Sequence, residues 1–394
     1  MNEQRLEHDS RPANANRTIG LLSLGHFTND TYTGYLAPLL PLLVQKIGFS
    51  LTLAGVLVSI QAIASSLLQP VFGMLSDRLR RPLLVVIGPL LTALLLSAIG
   101  LAHSWTQVAC LIVLGGLGTA AFHPQAASLT SRFSGGRKGL AMSVFVTAGS
   151  AGHAMGPIFI LSVVTLFGLH YSWITVFWGV AVAFLLWRFL PSTLPAAMPA
   201  HASPHAIGRS GGKSLLIVIW FIVFLRAFVI DSFLAFNPLF LHQKQYSVML
   251  AGAANTIFEI SGSAGTLLGG PISDRFGRKS IILFSLLGSI PLFWLFLHTN
   301  GLPALIYLGL AGAILYSSVP VTIIMAQELF PHRSGAVSSL TMGFAWGMAG
   351  LLLTPFGAIA EKIGLGPALQ GMVIILPVAF LLAVWLPNQK RKTA

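Results

Sequence analysis

Three carboxylates and one guanidinium stand deep inside long apolar stretches: Asp30, Asp231, Glu259 and Arg226. An ionised side chain at the centre of a bilayer costs about 3 kcal/mol on insertion scales, so such groups face a water-filled cavity or a partner and are functional by default. Asp30 follows His26 by four residues. On a helix the two share a face, and the pair can hold and pass a proton; the same spacing would also serve a locally satisfied brace. Asn29 stands beside them. Arg226 cannot shed its charge, so it calls for a substrate anion or a carboxylate from another helix. Asp231 lies five positions on, about 140° around the axis. Glu259 shares a helical face with Asn255, Ser263 and Thr266, spaced at i−4, i+4 and i+7. That stripe reads as cavity lining, where a carboxyl can take up a proton when water leaves it; an interhelical hydrogen bond from the neutral acid would use the same stripe.

Histidine titrates near neutral pH, which makes His26, His123 and His153 further proton carriers. His123 precedes Pro124, which frees a backbone carbonyl and bends a helix, and Gln125 follows. A packed core histidine explains His123 as well, and His153 lies in a Gly-rich stretch that serves packing. No helix carries a His-Glu-x-x-His spacing, so no metal and no cofactor are assigned. Nucleophile, base and oxyanion groups do not converge at any recognisable spacing, so the chain does not read as an enzyme.

The elements that must carry these groups are membrane spans. Mean hydropathy is +0.82, with 55% hydrophobic and 8% charged residues, against roughly 25% charged in soluble domains. The net charge of +13 is no nucleic-acid signature, because the basic residues fall on alternate loops. Cys110 is the one cysteine, which excludes a disulfide framework. The first apolar run is too long for a signal-peptide core and is expected to remain.

A span needs about 20 apolar residues. Twelve are expected, near 19–45, 51–75, 82–102, 106–130, 138–166, 171–190, 214–241, 248–272, 280–298, 302–329, 334–360 and 366–387. The fold class is therefore all-α, with two six-helix bundles at 19–190 and 214–387. A cytoplasmic segment 1–18 precedes them, a linker 191–213 containing Pro191, Pro195, Pro199 and Pro204 joins them, and a tail 388–394 follows. Of the 23 Lys and Arg residues, only Lys46, Lys244 and Lys362 fall on the odd-numbered loops, and Arg226 lies within a span. That bias places both termini in the cytoplasm. Asp30, Arg226, Asp231, Glu259 and His153 all lie near span midpoints, so the expected spans put them in one layer.

The halves repeat each other. Asp30 precedes Pro38-Leu39 as Asp231 precedes Pro238-Leu239, and His26 and Arg226 stand at equivalent places 200 positions apart. Gly73-Met-Leu-Ser-Asp77-Arg78-Leu-Arg80-Arg81 returns as Gly270-Pro-Ile-Ser-Asp274-Arg275-Phe-Gly277-Arg278-Lys279. Gly73 and Gly270 let a neighbouring helix approach closely. Asp77 and Asp274 can complement the positive end of a helix or pair with the adjacent cations. Such a contact forms in one conformation and breaks in another, which makes it a latch. In the first copy Arg80 replaces a glycine and is expected to stiffen or shift the turn. Gly149, Gly152, Gly156 and Pro157 form a small-residue face on the fifth span, and Gly343, Gly347 and Gly350 a similar one on the eleventh; close helix packing accounts for both.

The doubled loop resembles that between helices two and three, and eight and nine, of major facilitator superfamily transporters. Gly25-His26-Phe-Thr-Asn29-Asp30, Ala64-Ser65-Ser66-Leu-Leu-Gln69-Pro70, Phe122-His123-Pro124 and Ser134-Gly135-Gly136-Arg137-Lys138-Gly139-Leu140-Ala141 together resemble the fosmidomycin resistance protein family over roughly residues 20–160. Gly152-x-x-x-Gly156-Pro157 is similar to part of a drug–proton antiporter motif. The resemblance implies a proton-driven exporter of small compounds in the inner membrane, with Gln125 standing where the family usually has an acidic residue. The expected reading is an antiporter working as a monomer by alternating access. Asp30, Glu259 and Asp231 would couple protons. Arg226, His26, His123, Asn29, Asn255, Gln125 and His153 would face substrate. An importer of a small anion or sugar is the alternative; a membrane sensor or a membrane-embedded enzyme ranks below both.

Overall fold

The computed structural model describes residues 14–191, 209–246 and 248–388. Residues 1–13 of the expected N-terminal segment, 192–208 of the linker and 389–394 of the tail lie outside the described residues. Among the described residues there is no strand. A backbone in hydrocarbon must satisfy its own polar groups, and a helix does so within one segment.

Among the described residues twelve helical spans follow one another. The first, α1, consists of Ala15–Thr33 and Leu36–Ile47, broken at Gly34-Tyr35. Next, α2 joins Leu51–Ala62, a π turn at Ile63–Leu67 and Gln69–Arg78. Then come α3 (Leu83–Ser97), α4 (Trp105–Phe133), α5 (Lys138–Phe167) and α6 (Val176–Phe189). The second half holds α7 (Arg209–Gln243), α8 (Val248–Phe276), α9 (Arg278–His298) and α10 (Gly301–Tyr316 with Val319–Leu329). Last are α11, from Ser334–Ser339 through a π turn at Leu340–Phe344 to Leu353–Ile363, and α12 (Leu365–Val384).

Ten of the spans are apolar and long enough to cross a bilayer by composition alone. The two below that mark are α1 and α8, whose polar residues lower their hydropathy; they carry Asn29, Asp30, Asn255 and Glu259. Large apolar side chains such as Ile158, Leu166, Trp187, Ile260, Ile374 and Trp385 are exposed, as side chains facing lipid would be.

The chain divides into two compact units, Met1–His201 with Phe330–Phe344, and Ala202–Leu329 with Ala345–Ala394. The opening turns of α11 thus belong with the first unit. Within that unit α1 and α5 touch backbone to backbone. A methyl group added at Gly152 would lie 2.0 Å from the Phe27 carbonyl oxygen, and one at Gly156 would lie 2.4 Å from that of Thr31. Gly149 leaves room for the His26 ring, 2.4 Å from where its Cβ would stand. The small-residue face of α5 is therefore a packing surface that brings α1 in. The corresponding face of α11 is uneven, because Gly343 meets the Gln69 side chain while Gly350 has nothing within 4 Å.

The two loop copies differ as the Arg80 substitution predicts. In the second, Gly277 alone separates α8 from α9 and holds φ +94, a conformation that an L side chain rarely adopts. In the first, α2 ends at Arg78 and Leu79 is extended at φ −79, ψ 132. Arg80, Arg81 and Pro82 then carry the chain to α3, which begins at Leu83. With Arg80 unsuited to the left-handed turn, the connection lengthens.

Candidate functional site

In the first unit, α1 and α4 bring three of the expected residues together. The His26 ring stacks on Phe145 at 4.2 Å between centroids, and its Nδ1 lies 2.7 Å from the Phe145 carbonyl. A carbonyl only accepts, so Nδ1 carries the hydrogen and donates it. Nε2 then points at Asp30 Oδ2, 3.2 Å away. The other carboxylate oxygen, Oδ1, lies 3.1 Å from His123 Nε2 and accepts from Asn29 Nδ2 at 3.1 Å. Asp30 is thus clasped between two imidazoles whose rings stand 4.9 Å apart, edge to face.

This arrangement is short of a cation. With Nδ1 donating to Phe145, a neutral His26 would aim a lone pair at a carboxylate oxygen. The contact becomes attractive only when a proton or another cation sits between them. For His123 the partner behind the ring is Gln69, whose Nε2 lies 3.4 Å from Nδ1 and donates to the Ser65 carbonyl at 3.0 Å. In that orientation His123 accepts at Nδ1 and donates from Nε2 to Asp30. Gln69 Oε1 is buried without a partner. Gln69 exists in this position because Pro70 offers no N–H to the π turn before it, and the amide side chain takes over the freed carbonyl.

The second unit gathers a different set. Arg226 on α7 is 1% exposed. Its Nη1 donates to Ser318 Oγ at 2.8 Å and its Nη2 to Thr322 Oγ1 at 3.3 Å, both on or beside α10. Its Nε is buried without a partner, and among the described residues no carboxylate comes within ion-pair distance of it. Tyr316 lies close enough to feel the charges of Arg226, Asp231 and Glu259 together. Asp231, one turn and a half along α7, makes no hydrogen bond or ion pair among the described residues. On α8, Asn255 is tied to α7, its Nδ2 donating to the Leu234 carbonyl at 2.7 Å and its Oδ1 accepting from Asn237 at 3.3 Å. Thr266 donates to the Tyr316 carbonyl at 3.3 Å.

Two expected site residues lie elsewhere. Gln125 is buried and braces the start of α3, accepting from Val85 N at 3.0 Å and donating to the Arg81 carbonyl at 3.2 Å. Its hydrogen-bonding groups serve the fold, because α3 begins without a side-chain cap of its own. His153 is exposed, with Nδ1 3.4 Å from Thr33 Oγ1, and stands apart from the His26–Asp30–His123 group. Conversely Gln69, Ser318, Thr322 and Tyr316 were not expected at the sites. The Gln69-Pro70 pair, a polar side chain ahead of a helix-interior proline, is the one signal that pointed to any of them.

The loop aspartates are engaged. Asp77 Oδ1 and Oδ2 accept from Gly335 N at 2.9 Å and Ala336 N at 3.0 Å, the first turn of α11, where the helix dipole favours an anion. Gly73 permits the approach, since a Cβ there would lie 2.8 Å from the Gly335 carbonyl oxygen. Of the two expected partners for Asp77, a helix end or the adjacent cations, it is the helix end that its carboxylate meets, and Arg78 and Arg81 are exposed. In the second copy Arg278 Nη1 meets Asp274 Oδ1 at 2.7 Å and Ser273 Oγ at 2.6 Å, with Nη2 3.4 Å from Glu328. Arg275 lies over Phe276 at 5.3 Å, Lys279 donates to the Val384 carbonyl at 2.6 Å, and Gly270 is buried. Asp77→Ala removes an acceptor from two helix-end N–H groups. The expected weakening of that contact is about 1–2 kcal/mol, or roughly tenfold in its equilibrium. Amide hydrogen exchange at Gly335 and Ala336 in the purified protein should accelerate correspondingly; unchanged exchange would show that the carboxylate holds nothing.

Comparison with known proteins agrees with this architecture. The chain is 31% identical over 384 residues to an MFS-type transporter, YfnC, of Bacillus subtilis (strain 168), covering 94% of this chain and 93% of that one. It is 30% identical to the fosmidomycin resistance protein of Escherichia coli (strain K12), covering 95% and 93%. That likeness spans both halves, well beyond the 20–160 region whose motifs first pointed to it. Among solved structures, the human organic anion transporter MFSD10 superposes with a TM-score of 0.72 at 18% identity, covering 94% of this chain and 100% of that one. The Escherichia coli fucose:proton symporter FucP gives 0.73 at 15%, covering 93% and 98%. These two share the fold. The profile of the Major Facilitator Superfamily matches residues 22–353 and 219–394. With twelve helices, two compact units and relatives near 30% identity over almost its whole length, this chain belongs to the Major Facilitator Superfamily, whose members are transporters of small molecules and not enzymes.

Proposed function

We propose that the protein is a proton-coupled exporter that exchanges protons for a small organic compound by alternating access. The observation that carries this reading is Asp30, placed within a span and clasped by His26 and His123 in a geometry that lacks one positive charge. A proton supplies that charge when bound and removes it when released, which is what a coupling site does. Asp231 and Glu259, near Tyr316 in the second unit, are the further proton-coupling candidates, and Arg226 is the anion-recognising or charge-pairing centre. His26, His123, Asn29 and Asn255 are proposed to face the substrate path. The latch residues Asp77 and Asp274 would hold one conformation while the halves 19–190 and 214–387 exchange access.

Relatives support export. Besides the fosmidomycin resistance protein, a multidrug resistance protein, MdtG, of Proteus mirabilis (strain HI4320) is 26% identical over 284 residues. The basic residues gather on alternate loops and hence on one side, which favours both termini on the cytoplasmic side of the inner membrane, and the chain is taken to work as a monomer.

The test uses proteoliposomes with an imposed pH gradient and a panel of phosphonates, sugars, siderophore-like acids and common drugs. Wild-type protein should accumulate one class against its gradient, with protons moving the opposite way. Asp30→Asn should abolish gradient-driven accumulation while leaving counterflow, and Glu259→Gln should reduce it. If both variants keep full gradient-driven accumulation, the coupling assignment fails; if protons and substrate move together, the protein is an importer.

A further inference from the structure

We propose that His26, Asp30 and His123 form a binding site for one divalent transition-metal ion of the zinc, cobalt or nickel type. The donor atoms of the three side chains all lie within 4.8 Å of one another, although they come from two helices. Two imidazoles and one carboxylate suit these ions and disfavour magnesium or calcium, which seek oxygen. A metal about 2.1 Å from each donor places neighbouring donors about 3.0–3.4 Å apart, and the two nitrogen–oxygen separations here are 3.2 and 3.1 Å. The carboxylate already turns one oxygen to each imidazole.

The surroundings are those of ligands rather than of a plain ion pair. His26 Nδ1 donates to the Phe145 carbonyl, the outer contact that fixes a metal-binding imidazole with its Nε2 lone pair inward. His123 acquires the same arrangement when the Gln69 amide turns over. Oε1, now buried without a partner, then accepts from Nδ1–H, giving up the Ser65 contact. An otherwise idle buried oxygen gains a partner, and the second Nε2 lone pair turns toward the carboxylate. Asp30 is 18% exposed at its side chain, so an ion can reach it. A His-Glu-x-x-His search along single helices misses this set because α1 supplies two ligands one turn apart and α4 the third.

The inference concerns binding alone, so its failure leaves the proton-coupling reading untouched, and failure of transport leaves it untouched in turn. Full-length protein in detergent, with its affinity tag removed, is titrated with Zn²⁺ by calorimetry and with Co²⁺ by visible absorption. One ion per chain is expected, with the visible band of an imidazole-bound Co²⁺ and a rise in melting temperature that grows with free metal. His26→Gln and His123→Gln should each weaken binding at least about tenfold, and His153→Gln should leave it unchanged. Metal-free melting temperatures of the variants report whether they fold. If either triad variant proves unfolded, Asp30→Asn takes its place in the comparison. Absence of stoichiometric binding, or binding of equal strength in the triad variants, overturns the proposal.

Discussion

Arg226→Met is expected to raise the melting temperature of the protein while reducing transport about 100-fold or more. The two halves of this expectation have separate physical origins. Arg226 is 1% exposed, its Nε has no partner, and no carboxylate pairs with it among the described residues. Two hydroxyls alone stabilise its Nη groups. Replacing buried charge by an apolar side chain of similar volume is commonly neutral or stabilising by about 1–4 kcal/mol. The hydroxyls lose little, since Ser318 also donates to the Leu315 carbonyl at 3.3 Å and Thr322 to that of Val319 at 3.0 Å. A group so unfavourable to the fold points to another role, and a guanidinium held only by the Ser318 and Thr322 hydroxyls, with its Nε unpartnered, is suited to hold an anion or balance a protonation change. Thermal unfolding followed by tryptophan fluorescence, beside uptake into vesicles, reads both effects. A variant that melts lower and still transports would show Arg226 to be structural.

The same residues show how much the sequence could disclose. Burial and charge are local properties, so Asp30, Asp231, Glu259 and Arg226 announce themselves by standing in apolar runs, and the i, i+4 spacing of His26 and Asp30 announces their contact. Twelve spans follow from hydropathy, and even the two weakest, α1 and α8, are weak because they carry the polar groups. The consequence of Arg80 was legible because φ +94 at Gly277 is a matter of backbone sterics. Partnership across helices was not legible. That His123 rather than His153 completes the group depends on how α4 and α5 are rotated about their axes, and no periodicity fixes that angle. Gln125 was assigned by its place after His-Pro, yet the side chain reaches back to Val85. That Asp77 suits either the positive end of a helix or the adjacent cations is a local property, whereas the helix end it meets stands 258 and 259 residues away.

Gly152→Ala is expected to be the most damaging single-atom change in the first unit, whereas Gly350→Ala is expected to be harmless or mildly stabilising. Both add one methyl to a helix, and helix propensity alone favours alanine by about 1 kcal/mol. At Gly350 nothing lies within 4 Å, so propensity decides the sign. At Gly152 the new carbon would lie 2.0 Å from the Phe27 carbonyl oxygen and 2.7 Å from its carbon. Those atoms are backbone and cannot rotate away, so α1 and α5 must separate. Overpacking of this kind costs about 1–3 kcal/mol and more where nothing yields. The separation also reaches the site, because α5 carries the Phe145 carbonyl that orients His26 at 2.7 Å. Gly152→Ala should therefore lower the melting temperature and impair proton coupling together, and Gly152→Ser should do the same. Equal melting temperatures for the Gly152 and Gly350 variants would mean that α1 and α5 are not held at this distance in the protein. The order in which coupling and stability fail, followed through increasing denaturant, then separates loss of the His26 contact from loss of the unit.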